Sequence, residues 1–134
     1  MERRLRLRAE ADFTRLRSRG RSWGNRWLTL LALPNGLEQN RYGVVVSKRV
    51  GKAVTRNLVK RRLREVLREL DRAGSIVPGV DIALIVRPAT ATATFPELRD
   101  ATVALLRRGS LWRAGRQPDP PPTPDIPPSS FRTE

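Results

Sequence analysis

The chain has 134 residues, with 27 lysines and arginines against 13 acids, and a formal net charge of +14. It contains neither cysteine nor histidine, which excludes thiolate and imidazole catalysis, disulfides and Cys/His zinc sites. The length fits one domain with an aliphatic core, and so large an excess of cations suits a polyanionic partner.

Residues 1–8 are basic but no apolar stretch follows them, so they do not read as a signal peptide. No apolar run approaches the roughly eighteen residues of a membrane span, and a cytoplasmic location is the expectation. Residues 9–19 read as a short helix carrying Phe13 and Leu16 on one side and stopping at Gly20. Residues 26–33 alternate as a strand, with Trp27, Thr29, Leu31 and Leu33 on one face and Leu28, Leu30 and Ala32 on the other. Pro34-Asn35-Gly36 opens a loop, and residues 42–47 read as a second strand, paired antiparallel with the first. Residues 55–72 form a predicted helix ended by Gly74. The apolar run at residues 80–86 is a buried strand between Pro78-Gly79 and Pro88, and residues 95–108 are the last helix. The order αββαβα predicts an α+β, two-layer sandwich over residues 1–114. Residues 115–134 hold seven of the eleven prolines, and the charges from Arg113 onward cancel. They read as a disordered or polyproline II tail, which leaves the whole positive charge on the domain.

The densest cationic stretch is residues 48–64, with eight basic residues and no carboxylate. Projected at about 100° per residue, Leu58, Val59, Leu63, Val66, Leu67 and Leu70 fall in one half of the wheel. Asn57, Lys60, Arg61, Arg64 and Arg68 fall in a separate sector, with Arg56 on the flank at the first turn. Ordinary solvated helix faces mix signs at i, i+4, whereas this stripe carries like charges, with Glu65 and Glu69 assigned to the opposite flank. An external anion relieves that repulsion, and the helix N-terminus adds unpaired N–H donors beside Arg56 and Asn57.

The run Val46-Ser47-Lys48-Arg49-Val50-Gly51-Lys52-Ala53-Val54-Thr55-Arg56-Asn57-Leu58-Val59-Lys60-Arg61-Arg62-Leu63-Arg64-Glu65 closely resembles the signature of the protein subunit of bacterial ribonuclease P. Arg6-Leu7-Arg8 and Asp12-Phe13 before it, and residues 81–88 and 105–111 after it, extend the likeness to about residues 3–112. One departure is plain: Leu58 stands where the family's Arg-Asn-Arg core has its second arginine. The resemblance implies a fold like domain 2 of ribosomal protein S5, with a left-handed βαβ crossover against the usual rule. It also implies a partner, the large catalytic ribonuclease P RNA, and a substrate, precursor tRNA, from which the complex removes the 5′ leader by magnesium-dependent hydrolysis. The RNA carries the chemistry and uses the Mg2+.

On that reading Lys48, Arg49, Lys52, Arg56, Asn57, Lys60, Arg61, Arg64 and Arg68 contact RNA. Phe13, Arg17, Trp27, Thr29 and Leu31 line a cleft for the single-stranded leader, where aromatic rings or a guanidinium plane stack on bases. No catalytic residue, protein metal site, small-molecule substrate or membrane contact is expected. Metal-dependent phosphodiester hydrolysis by the protein itself would need clustered carboxylates, and the acids here are scattered. A ribosomal-type RNA-binding protein without turnover shares the charge and size but has no reason to carry the signature. A DNA reader using the basic helix lacks a preceding helix–turn element.

Overall fold

The computed structural model describes residues 6–7 and 10–113, and the proline-rich tail lies outside them. Seven elements make up the domain. Helix α1 (Glu10–Arg19) opens with Glu10 and Asp12 and closes with Arg17 and Arg19, charges that match the helix dipole at each end. At its exit the Gly20 N–H donates to the Leu16 carbonyl, and a Cβ at Gly20 would fall 2.4 Å from that oxygen. Strands β1 (Arg21–Gly24), β2 (Leu28–Pro34) and β3 (Arg41–Val46) follow, then helix α2 (Ala53–Arg72), strand β4 (Val80–Val86) and helix α3 (Phe95–Arg108).

The sheet order is β1-β2-β4-β3. β2 pairs antiparallel with β1 and β4, and β3 pairs parallel with β4, joined to it by the α2 crossover. This corrects one expectation: β2 and β3 do not form an antiparallel pair, because β4 lies between them. The connection between them is instead stitched to the entry of β4. Asn35 donates to Asp81 at 2.9 Å, and Asn40 donates to the Val77 carbonyl while accepting from the Val80 N–H. β4 takes the central place because its sequence, Val-Asp-Ile-Ala-Leu-Ile-Val, is apolar on both faces.

Helices α2 and α3 cover one face of the sheet. Leu28, Leu30, Tyr42, Val44, Ile82 and Leu84 meet Leu63, Val66, Leu67, Leu70, Leu98 and Leu105 there in a continuous core. α2 stops in a Schellman arrangement: Gly74 adopts φ 69° and the Ser75 N–H returns to the Leu70 carbonyl. α3 starts from a capping box, with the Thr94 hydroxyl accepting from the Glu97 N–H and the Glu97 carboxylate accepting from the Thr94 N–H. Among the described residues, the opposite face carries α1 and a small cluster of Leu7, Leu16, Leu31 and Ala83, flanked by Phe13, Leu33 and Ile85. That face is where the sheet stays accessible.

Candidate nucleic-acid interface

The cationic stripe is built at the end of β3. From Val46 the chain enters a 3-10 turn (Lys48–Val50) and then Gly51, whose φ of 147° suits a residue without a Cβ. Only Val50 of that turn is buried, so Lys48 and Arg49, with Lys52 after them, stand in solvent at the start of α2. Lys52 is the N-cap and gives no side-chain bond to the first turn. Arg56 folds back, donating Nε to the Gly51 carbonyl at 3.1 Å. Asn57 and Arg61 are exposed, and Lys60 and Arg64 are half-buried, while Val59 and Leu63 anchor the helix beneath.

Two adjoining recesses join this stripe to the α1 face. One, of about 350 Å³, is lined by Arg6, Asn57, Lys60, Arg61, Arg64 and Glu65. The other, of about 210 Å³, runs past Phe13, Tyr42 and Gly43 and shares Arg6, Lys60 and Arg64 with the first. The result is one trough, with cations on one wall and an aromatic ring at its far end. Burial first, and then the like charge of Arg6, pull the Arg64 pKa below its ordinary value. The Arg6 Nε is buried without a hydrogen-bond partner. Such crowding of like charges is the electrostatic signature of a place meant for an anion.

Phe13 closes the far end because β3 has a glycine beneath it: a Cβ on Gly43 would sit 2.7 Å from the ring. α1 is held in that position by a polar clamp. Arg41 donates Nε to Asp81 Oδ1 at 2.9 Å and Nη2 to Asp81 Oδ2 at 2.7 Å, and lies 3.5 Å from Asp12 on α1. These two carboxylates are engaged by a cation. Among the described residues no group of three or more His, Cys, Asp or Glu is placed to hold a metal ion.

The expected residues are partly regrouped. Phe13 and Leu31 meet in the small cluster, and Arg17 is exposed one turn after Phe13 on α1. Thr29 shares their face of the sheet, and its hydroxyl accepts from the Arg87 guanidinium at 3.3 Å. Trp27 does not join them. It precedes β2, where Asn25 Oδ1 accepts from the N–H groups of both Trp27 and Leu28, and the turn sends the indole against the main core on the other face. Arg68 departs as well: Glu65 reaches across to pair with it, so the stripe is not free of carboxylates and its last cation is neutralised. Leu58 is half-buried, and one turn earlier Val54 is 80% exposed, an apolar pair in the cationic surface.

Sequence pattern alone does not single out Arg6, Arg41, Gly43 or Arg87. Arg87 had a signal, as a cation between a buried strand and Pro88. Arg6 had only its place in an Arg-Leu-Arg start.

Comparison with known proteins agrees with this geometry. The ribonuclease P family model matches residues 1–109. The ribonuclease P protein component of Roseiflexus sp. (strain RS-1) is 43% identical over 115 residues, which is 85% of this chain and 93% of that protein. The component from Herpetosiphon aurantiacus is 39% identical over 118 residues, covering 88% of this chain and 94% of its own. Among solved structures, the RNase P protein of Thermotoga maritima superposes with TM-score 0.70 at 34% identity, covering 77% of this chain and 96% of that one. A Staphylococcus aureus RNase P protein mutant gives 0.76 at 30% identity, over 83% and 92%. With the signature, the fold and the cationic trough in agreement, the chain belongs to the ribonuclease P protein family and is a protein subunit of that endoribonuclease, whose partner is ribonuclease P RNA.

Proposed function

We propose that the chain docks on ribonuclease P RNA through the α2 stripe and the 3-10 turn before it, using Lys48, Arg49, Lys52, Arg56, Asn57, Lys60, Arg61 and Arg64. The same surface continues into the trough, which leads the single-stranded 5′ leader of precursor tRNA past Phe13 and Gly43 toward the open sheet face, where Arg17 on α1 and Thr29 and Leu31 on β2 flank it. The observation that carries this reading is the sharing of Arg6, Lys60 and Arg64 between the two recesses. A strand leaving the RNA subunit passes into the trough without leaving a cationic wall. Magnesium belongs to the RNA and the substrate in this reading, and the protein contributes binding and orientation. The complex works in the cytoplasm; no helix among the described residues is long and apolar enough to cross a membrane.

The experiment is a salt titration of affinity. Arg56→Ala/Lys60→Ala/Arg64→Ala should make the slope of log K against log salt for ribonuclease P RNA shallower by about 2–2.7, at about 0.7–0.9 per lost phosphate contact. Leu58→Arg, which restores the family's cation on a half-buried site, should steepen the slope by up to about 0.9. Phe13→Ala, checked by a melting curve, should weaken a precursor with a leader of several nucleotides and spare one trimmed to a single nucleotide. Unchanged slopes mean that the stripe is merely solvated. Equal losses with both precursors place the leader elsewhere.

A further inference from the structure

Three arginine–tryptophan pairs lie outside the trough and the stripe. Arg21 sits over Trp23 at 4.9 Å, Arg26 over Trp27 at 5.0 Å and Arg107 over Trp112 at 5.3 Å, which accounts for every tryptophan in the chain. The first and third pairs both adjoin the C-terminal end of α3, where three consecutive residues reach three places. Arg107 covers Trp112, and Arg108 donates to the Gly24 carbonyl at 2.9 Å. Gly109 lies so close to Trp23 that a Cβ there would fall 3.0 Å from the indole. Arg21 and Trp23 are two residues apart on β1 and so share a face of the sheet. Arg21 and Arg107 are exposed above half-buried rings. Segments 21–26 and 107–113 together hold five arginines and no acid.

Helix-dipole complementarity explains basic residues in the last turn of α3. It does not explain Arg21, which comes from a different element and takes the same posture. An arginine drawn onto an indole by the cation–π attraction has already given up freedom, so less remains to be lost when a second planar group stacks on its guanidinium. We propose that this shelf on the β1–α3 edge is a second RNA surface, which takes single-stranded RNA by stacking unpaired bases on Arg21 and Arg107 and pairing flanking phosphates with their N–H edges. Charge selects a polyanion and the flat cations select unstacked bases; a duplex presents only its phosphates here. β1 lies at the opposite edge of the sheet from β3, three strand spacings or roughly 14 Å away, so the shelf does not compete with the stripe on α2. The assignment is independent of the leader trough.

The test uses the full chain carrying Arg56→Ala/Lys60→Ala/Arg64→Ala, so that the stripe does not mask the shelf, and a 4-thiouridine oligouridylate as probe. Photocrosslinks should map to peptides spanning residues 21–27 and 107–113. Adding Arg21→Gln/Arg107→Gln should weaken the oligouridylate by about tenfold and remove those crosslinks, with much less effect on a paired duplex of equal length. Arg21→Lys/Arg107→Lys keeps the charge but not the plane, and should also lose the preference for the single strand. Crosslinks confined to α1 and α2, or equal losses for single strand and duplex, overturn the proposal. So does loss of binding to phosphatidylglycerol vesicles with oligouridylate affinity unchanged.

Discussion

The two faces of the sheet are built to different standards. Under α2 and α3, large aliphatic side chains from five elements and Tyr42 form one continuous core, and most of them are fully buried. Under α1, among the described residues, the buried apolar cluster is Leu7, Leu16, Leu31 and Ala83, and a polar clamp supplements it. Apolar burial scales with area, so the first face carries most of the fold's stability and the second carries little. The difference leaves one side of the four-stranded sheet sealed and the other partly open, with the cationic outer face of α2 bordering the open side at the β3 edge.

The sharpest test of this contrast pairs two equally buried leucines. Leu63→Ala, in the main core, should cost about 3–5 kcal/mol, whereas Leu16→Ala, in a small cluster that can relax, should cost about 2 kcal/mol. Denaturant melts of both variants decide it, and a larger loss at Leu16 would invert the assignment of stability to the two faces. Arg41→Ala comes next, at about 2 kcal/mol, because it leaves the buried Asp81 without its cation, while Asp12 keeps Arg15 and Arg41 itself is only partly buried. Hydrogen exchange should speed up in α1 and stay slow in α2 and α3; uniform acceleration would mean that the clamp supports the whole fold.

The smallest effect tests the sealed face at its edge. Hydrogen bonds from the Thr94 backbone and hydroxyl hold Glu97 below its ordinary pKa of 4.5. The unfolded chain therefore binds that proton more tightly, so the stabilisation is complete above the ordinary value and fades as pH falls through the lowered one. Wild type should melt higher than Glu97→Gln at neutral pH, and the gap should close in acid. A gap that persists in acid would remove the ionised carboxylate as its source.

Much of this was readable from residue order. The α2 stripe, its apolar anchor and the boundaries of β4 and α3 follow from periodicity and from the glycine and proline stops. β1 was not readable: Arg-Ser-Trp-Gly has one apolar residue and becomes a strand only because β2 offers it an edge. The connection between β2 and β3 resembles a hairpin loop and so suggests a pair, although the two-sided apolar run of β4 marks it as the central strand. Trp27 has the parity of Thr29 and Leu31, but Asn25 turns the chain before β2 begins and the parity no longer applies. Glu65 and Arg68 sit one turn apart, and a helical projection shows the direction of a side chain but not its reach. Local pattern gives elements; contacts that cross between them depend on partners distant in the chain.

The strand order has a consequence for biosynthesis. β4 is the last strand to be made, yet it joins the β1–β2 hairpin to β3. During vectorial synthesis the hairpin and α2 emerge first, with no sheet to close and with the basic helix facing an environment rich in RNA. The domain cannot assemble until residue 86 has left the ribosome, so its sheet closes late, over long loops whose closure is slow. A nascent chain halted before β4 is thus a cationic helix without a fold, while one halted after it already holds every strand of the sheet.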